Sequence, residues 1–462
     1  MSVAQATQPQ PRSANPRHRR PARYLVAAVL GALLFLALVG SSSLSYLSLD
    51  RIPSRGLLLG LPAVALVAGA TWIGIRAVER DSAERRRHQL WAVTLLALAI
   101  LLWLLLLDVF LFTEEAGPGA TALSTLACLP TTAAGLWVVR RLDREQKEPW
   151  RLVLVATLWG AVVATSLVLW AEEIFQAWAV NALVPGHGLE ASNAFSAGVV
   201  EELAKGSALL LLYLVMRDEF NDVVDGIVYG AAVGLGFNFM ETIGYMTYLD
   251  SLFGPYAAGF QWYHRQVLDL FFGHASYTAL VGAGIGIARQ LPGRRRQVIA
   301  ITSGFLAAIA AHFAWDAWLT FFPLGTGAFT LVQVHLRVLA MNGPFTAVVV
   351  VLLLMGRRIE GRSLERQLAL EAASGSGAIL AEEVAILCSP GRRLRARLAA
   401  GPRGYVRLAR LQRAQVALAL ERWQRERRGI DEPLAAEHEL RRRVLELRVS
   451  PPAAAPTGPA RG

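Results

Sequence analysis

The sequence predicts an all-α fold, a polytopic transmembrane helix bundle of about ten spans with a small helical cytoplasmic tail. The 462-residue chain is 54% hydrophobic and its mean hydropathy is +0.40, which is too apolar for an ordinary soluble protein. Its apolar residues form blocks of about 20, the length that crosses a bilayer core. The short segments between the blocks alternate between arginine-rich and arginine-poor, as loops on opposite sides of a membrane do.

The apolar blocks define the predicted spans. The first block is longer than the core of a signal peptide, so we interpret it as an uncleaved first span. The last block is interrupted by Asn342, Gly343 and Pro344. In chain order the predicted spans are 24–47, 57–79, 90–112, 118–139, 152–174, 194–216, 223–248, 267–288, 297–321 and 338–356.

The loop charges predict the orientation of the bundle. If the N-terminus is cytoplasmic, four predicted loops lie on the cytoplasmic side. Three of them are rich in arginine: "RDSAERRRHQ" (80–89), "RRLDREQKEPWR" (140–151) and "RQLPGRRR" (289–296); the fourth is 217–222. Arginines are sparse in the predicted outer loops, which are 48–56, 113–117, 175–193, 249–266 and 322–337. The positive-inside rule therefore predicts a multi-pass protein of the plasma membrane with both termini in the cytoplasm.

Composition divides the chain into five predicted regions. The tail contains helical patterns such as "GYVRLARLQRAQVALALERWQRERR", and two interpretations of it stay open: a solvated, lipid-touching helix pair, or a partner-binding module. The regions are a basic disordered N-terminus (1–23), accessory spans (24–117), a membrane core (118–356), the helical tail (357–449) and a disordered end (450–462).

The net charge of +11 and the two cysteines exclude some functions. Basic segments beside spans contact the anionic head groups of the lipid bilayer. Because the chain has no nucleic-acid-binding motif, we expect no nucleic-acid partner. Cys128 and Cys388 predict neither a disulfide framework nor a cysteine-based metal site.

Ionisable residues inside the predicted spans are the strongest functional signal, because a charge in a bilayer is costly. Glu201, Glu241 and His274 lie about 7 residues below the outer ends of their spans, and His312 lies about 9 residues below, so all four are roughly 10–14 Å deep. Carboxylates and imidazoles that converge at one depth are a donor set for zinc or another divalent ion.

Local spacing places further groups beside these four. Glu201 and Lys205 are four residues apart and Glu202 and Lys205 three apart, so the lysine can partly neutralise both carboxylates. In "HFAWD" the His312 imidazole and the Asp316 carboxyl share one helical face.

Each of these residues also has a purely structural interpretation. A glutamate near the end of a span can reach the membrane interface, as we expect for Glu172 and Glu173. A single histidine such as His274 is commonly a packing residue that a neighbouring backbone group satisfies. Asp225 fits a contact at a helix end, and the stripe formed by Gly226, Gly230 and Gly234 fits close helix packing.

With these residues identified, the chain resembles the PrsW family of intramembrane metalloproteases, which is related to the CAAX prenyl-protease and bacteriocin-immunity group. The resemblance covers roughly residues 120–356. Its motifs are "DREQKEPW" (143–150), "EELAK" (Glu201–Lys205), "DGIVYGAAVGLGF" (225–237), "FNFME" (Phe237–Glu241), "HASYTALVG" (His274–Gly282) and "HFAWD" (His312–Asp316).

The resemblance implies hydrolysis of peptide bonds within or beside the membrane. It implies substrates that are membrane proteins, such as single-span anti-sigma factors. The related CAAX proteases carry a histidine where this chain has Glu241 and an amide where it has Asp316. Two alternatives therefore stay open: the site holds a metal tightly, or a glutamate activates the water without one. The chain has no HExxH motif, so the template of soluble zinc proteases does not apply.

These observations lead to a hypothesis for the site. A zinc or other divalent ion, or a polarised water, is held by Glu201, Glu241 and His274, and His312 completes the ligand set or donates to the oxyanion. Glu201 or Glu202 takes a proton from the attacking water, and Lys205 orients both carboxylates. The predicted metal ligands are Glu201, Glu241, His274 and His312, and the predicted catalytic residues are Glu201, Glu202, Lys205, His312 and Asp316.

Two other functions fit the same residues. A proton-coupled transporter or channel also uses intramembrane acids and histidines, although such sites usually lie at the bilayer midplane between broken helices. A non-catalytic scaffold is the other alternative.

Overall fold

The computed structural model describes residues 82–145, 147–168, 197–215, 220–322, 329–427 and 432–449. The predicted N-terminal arm, the spans 24–47 and 57–79, Glu172, Glu173 and the predicted disordered end lie outside the described residues. All regular secondary structure in the described ranges is helical, as predicted. The helices are α1 (Ser82–Leu142), α2 (Trp150–Val168), α3 (Glu202–Val215), α4 (Val223–Phe253), α5 (Pro255–Tyr263), α6 (His274–Gln290), α7 (Arg294–Phe321), α8 (Thr330–Ala373), α9 (Ala381–Leu387), α10 (Pro390–Ala399), α11 (Gly401–Arg427) and α12 (Ala435–Val449).

Five helices of the described part are long and apolar enough to cross a membrane, against the ten spans predicted for the whole chain. α3 carries Glu202 and Lys205 at its start, directly after Glu201. α6 has 17 residues, about 26 Å, which is short for a full crossing. The predicted outer loop 113–117 is a kink at Gly117 (φ 84°) within α1. The five are Phe112–Leu142, Trp150–Val168, Val223–Phe253, Arg294–Thr320 and Thr330–Ala373.

α4 lies at the centre of the bundle, and glycines bring its backbone against two neighbours. A Cβ on Gly226 would lie 2.1 Å from the carbonyl oxygen of Gly282 in α6, and one on Gly234 would lie 2.2 Å from that of His274. On another face, a Cβ on Gly236 would lie 2.0 Å from the carbonyl oxygen of Thr157 in α2. Since backbone atoms cannot move aside as a flexible side chain can, this close packing depends on glycine.

The predicted outer loop 249–266 is helical and turns back into the bundle. α4 ends before Gly254 (φ 80°), and α5 with the π-helical turn 264–268 then runs back alongside it. Arg265 consequently contacts Glu241, which lies 12 residues, about 18 Å, from the end of α4. The predicted span 267–288 therefore began too early, because α6 starts at His274.

α8 is one helix of 44 residues through segments that the sequence analysis assigned to a loop, a span and the tail. Pro344 cannot donate a helical hydrogen bond, and the wider π-helical turn Val338–Asn342 precedes it. The helix therefore continues past the expected break and also past the predicted span end at residue 356.

The tail helices pack on the C-terminal part of α8. Leu364 and Leu368 of α8 share an apolar core with Leu420 and Trp423 of α11. The buried Glu371 carboxylate is paired with Arg422 and with Arg441. The tail also contacts the membrane core, because Arg393 of α10 forms a buried ion pair with Glu145 at 2.6 Å.

Candidate active site

The structure brings all seven predicted site residues into one largely buried cluster. Glu201 ends a π-helical turn (Ala197–Glu201), and Glu202 and Lys205 follow on the first turn of α3. Glu241 comes from α4, His274 from the start of α6, and His312 and Asp316 from α7. Four separate helices therefore contribute to the cluster.

The Lys205 ammonium lies at the centre and is fully buried. Its Nζ is 2.6 Å from Glu202 Oε1 and 3.1 Å from Glu201 Oε2. It also lies 3.0 Å from His274 Nδ1 and 4.2 Å from the centre of the Phe237 ring. Because an ammonium only donates, His274 Nδ1 is the acceptor of that hydrogen bond.

Glu202 holds His312 in one orientation. Its Oε1 lies 3.0 Å from His312 Nδ1, and its Oε2 accepts a hydrogen bond from Thr278 Oγ1 at 3.3 Å. An ionised carboxylate only accepts, so the Nδ1 nitrogen carries the proton and the lone pair of the neutral imidazole is on Nε2. Both oxygens of Glu202 are therefore engaged by the protein.

Glu241 has the same relation to His274. Its Oε2 lies 2.7 Å from His274 Nε2, which assigns the proton of the neutral ring to Nε2. Arg265 binds both oxygens of Glu241, with Nη1 at 2.7 Å and Nη2 at 2.8 Å. Arg265 Nη1 is also 3.4 Å from His274 Nε2, a longer contact than the one to Glu241.

Three acceptors face one another on the remaining side of His312. Its Nε2 lies 3.7 Å from Glu201 Oε2 and 3.2 Å from Asp316 Oδ2. Asp316 Oδ2 is buried, and no donor among the described residues forms a hydrogen bond with it. Acceptors that converge in this way repel one another unless a cation or an extra proton lies between them.

A three-residue donor set fits a metal ion at this place. Glu201, His274 and His312 each offer one ligand atom, and these atoms lie within 4.8 Å of one another. The set contains two imidazoles and one carboxylate, which is a common combination in catalytic zinc sites. Glu241, which the sequence suggested as a fourth ligand, is in the cluster but outside this set.

Several residues that support the cluster were not predicted from the sequence. The Tyr277 ring stacks on His312 with 5.1 Å between centroids, and its hydroxyl donates to Asn342 Oδ1 at 2.6 Å. Asn342 Nδ2 in turn donates to Asp269 Oδ1 at 2.9 Å. The polar Asn342 inside an apolar span was the available signal, whereas Arg265 lay in a segment assigned to an outer loop.

Comparison with known proteins finds matches to the region of the chain that contains this cluster. Residues 148–355 match the family model described as PrsW family intramembrane metalloprotease. Protease PrsW of Geobacillus kaustophilus (strain HTA426) is 27% identical over 181 residues, which are 38% of this chain and 70% of that relative. No solved structure matches the chain. Given this match and the apolar helices, residues 148–355 are similar to the PrsW family of intramembrane metalloproteases, which supports an intramembrane peptidase with several membrane-crossing helices.

Proposed function

We propose that the chain hydrolyses peptide bonds of membrane-embedded proteins with a divalent ion, zinc in the first instance, held by Glu201, His274 and His312. The observation that carries the proposal is the approach of these three donor atoms to within 4.8 Å from separate helices. A bound zinc ion would supply a Lewis acid for the scissile carbonyl and would make a water more acidic.

The charges of the cluster support a divalent cation. Four carboxylates belong to the cluster, namely those of Glu201, Glu202, Glu241 and Asp316. Lys205 and Arg265 are its permanent cations. With both imidazoles neutral, two negative charges remain, which is the charge that one divalent ion offsets. Uncompensated buried charge is costly, so a bound ion would stabilise this arrangement.

The contacts of the carboxylates support different tasks for them. Glu202 and Glu241 each fix one histidine, and carboxylates behind ligating histidines commonly set ring orientation and tautomer in this way. We therefore propose Glu241 as a positioning residue for His274. Asp316, whose Oδ2 accepts no bond from the described residues, is then placed to take the proton of the attacking water, with Glu201 as a ligand.

Lys205 competes with a metal ion for the same donors. In the structure its Nζ occupies the space next to His274 Nδ1 and Glu201 Oε2. For His274 to ligate through Nδ1, the ammonium has to move toward Glu202, with which it already has its shortest contact, 2.6 Å. We propose that Lys205 holds the carboxylates together when the ion is absent and orients Glu202 when it is bound.

Elemental analysis beside a cleavage assay tests the proposal. Protein purified in detergent is analysed for metal, then tested in vesicles that contain a tagged single-span substrate. We expect close to one divalent ion in the wild type and much less in His274→Ala and His312→Ala, with cleavage lost in both. Asp316→Asn should lose cleavage but retain the ion. Chelation should abolish wild-type cleavage, and added zinc should restore it. Full cleavage by both histidine variants would refute the site.

Arg265→Gln is expected to reduce cleavage about 10- to 100-fold, as removal of groups behind metal ligands commonly does. The change removes both hydrogen bonds to Glu241 and so releases the carboxylate that fixes His274. The measurement is the initial rate at saturating substrate, beside Arg294→Gln, which alters an exposed arginine at the start of α7. Equal rates for the two variants would contradict a positioning role for Arg265.

We further propose the plasma membrane as the location, with both termini in the cytoplasm, and single-span regulators such as anti-sigma factors as substrates. The arginine-rich loops 80–89, 140–151 and 289–296 support the orientation. Reporter fusions at both termini and a screen of tagged single-span proteins test these points.

A further inference from the structure

Three of the membrane-crossing helices meet at the short segment between α1 and α2. α1 ends at Leu142 and α2 begins at Trp150, so the segment that joins them lies at one membrane surface. Arg357 of α8 follows the apolar run of that helix, and its Nε donates to the carbonyl oxygen of Leu142 at 2.7 Å. The end of the apolar part of α8 therefore lies at the same surface.

Exposed tryptophans mark this level as the boundary between lipid and water. Trp137 near the end of α1 and Trp150 at the start of α2 are both exposed. The guanidinium carbon of Arg141 lies 4.4 Å from the centre of the Trp137 ring, and that of Arg140 lies 4.9 Å from the centre of the Trp150 ring. Because tryptophan is enriched where a bilayer meets water, we place the lipid head groups at this level.

One face of α10 is fixed beside this level by the protein. Arg393 forms a buried ion pair with Glu145, which lies between α1 and α2, at 2.6 Å. Arg397, one turn later on the same face of α10, donates through Nε to Gln412 Oε1 of α11 at 2.7 Å. α10 is thus held against both the membrane core and the tail, close to the ends of the membrane-crossing helices.

The other face of α10 is apolar and basic, and it is uncovered. Leu394 and Leu398 lie one turn apart and are 46% and 63% exposed. Arg392 and Arg395 are exposed as well, and neither forms an ion pair with an acid in the described part of the chain. The helix contains four arginines and no acidic residue. Exposed leucines beside arginines are typical of a helix that lies in the plane of a membrane interface.

We propose that α10 binds the anionic phospholipids of the bilayer that α1, α2 and α8 cross. Leu394 and Leu398 enter the boundary between head groups and acyl chains, and Arg392 and Arg395 contact the phosphate groups. Two observations favour lipid as the occupant: the ion pair with Glu145 holds α10 at the level of the head groups, and its charge is opposite to theirs. An acidic protein partner is the alternative that the test below separates.

Hydrogen exchange of the full-length chain in lipid nanodiscs tests the proposal. One set of discs contains only neutral phosphatidylcholine, and in the other set part of it is replaced by anionic phosphatidylglycerol. We expect the backbone amides of residues 390–399 to exchange more slowly in the anionic discs, and high salt to remove the difference because it screens the attraction. Exchange in α12 should be the same in both sets. No substrate is needed, so the result does not depend on the proposed proteolysis.

Two double variants separate the contributions of charge and apolar contact. Arg392→Gln/Arg395→Gln should lose most of the protection in anionic discs, since two arginines strengthen binding to an anionic surface by about 5- to 30-fold. Leu394→Ser/Leu398→Ser keeps every charge and should also lose protection. Because all four side chains are exposed, both variants should unfold at the wild-type temperature.

The matched control is Arg442→Gln/Arg443→Gln, which removes the same charge from exposed positions of α12. Its neighbour Arg441 pairs with Glu371, which lies about 21 Å beyond Arg357 along α8, so this control should keep wild-type protection of residues 390–399.

The proposal is overturned if α10 of the wild type exchanges equally in the two sets of discs, which is the result expected for an acidic protein partner, because the purified sample contains none. It is also overturned if the Arg392→Gln/Arg395→Gln variant and its control are equally protected. Full protection of the leucine variant would refute the insertion of Leu394 and Leu398.

Discussion

Glu201→Gln should lower proteolysis at least ~10²-fold while the helical core stays folded. Glutamine has nearly the same shape but lacks the charge, so the donor set with His274 and His312 loses its carboxylate. The fold survives because Lys205, the buried cation beside it, keeps its closer contact with Glu202 at 2.6 Å. Loss of activity without loss of structure is the expected signature of a metal ligand.

The assay for this prediction is cleavage of a tagged single-span protein in vesicles, with metal content and thermal unfolding of the same sample. Glu115→Gln is the matched control, because Glu115 is exposed near the kink of α1. Glu202→Gln should behave differently and also lower the unfolding temperature, since Glu202 is a partner of both Lys205 and His312. Wild-type cleavage by Glu201→Gln would exclude Glu201 from the chemistry.

Gly234→Ala is the second change with a large expected effect. The added methyl group would lie 2.2 Å from the carbonyl oxygen of His274 and 2.8 Å from the Cα of Ala275. Both are backbone atoms at the start of α6, so the two helices have to separate. We expect a loss of about 1–3 kcal/mol in stability, the usual cost of overpacking. Displacing His274 by about 1 Å can by itself cost about 10²-fold in rate.

The control for this change is Gly259→Ala in α5, where the added methyl group meets no atom within 4 Å. Thermal unfolding in detergent, metal content and cleavage should all be close to wild type for Gly259→Ala and all reduced for Gly234→Ala. If Gly234→Ala retained wild-type rate and metal content, the close contact between α4 and α6 would not determine the position of His274.

Much of the architecture follows from hydropathy, but the paths of two segments do not. Apolar blocks predicted a helical membrane bundle, and helices occupy the described parts of those blocks. A hydropathy window identifies segments that cross the membrane but not short helices that turn back into the bundle. The segment that contains α5 was therefore assigned to an outer loop. The window also does not show that a π-helical turn lets α8 continue through "NGP".

The residues of the cluster were predictable because buried charge is rare, whereas their partners were not. Glu201, Lys205 and His312 stand out as ionisable groups in apolar surroundings. His274 was selected on an estimated depth of about 7 residues, yet it begins α6. It reaches Glu241 because α5 re-enters the bundle. Arg265 could not be predicted as a site residue from its surroundings, because it lay in a predicted loop, where arginines are common.

The continuous helix α8 contributes to both the active-site cluster and the tail. Near one end, Asn342 accepts a hydrogen bond from Tyr277, whose ring stacks on His312. Glu371, 29 residues or about 44 Å further along the same helix, is paired with Arg422 and Arg441 of the tail. Because α8 is continuous between these two points, a rigid-body displacement of this helix alters both the Glu371 ion pairs and the Asn342–Tyr277 hydrogen bond.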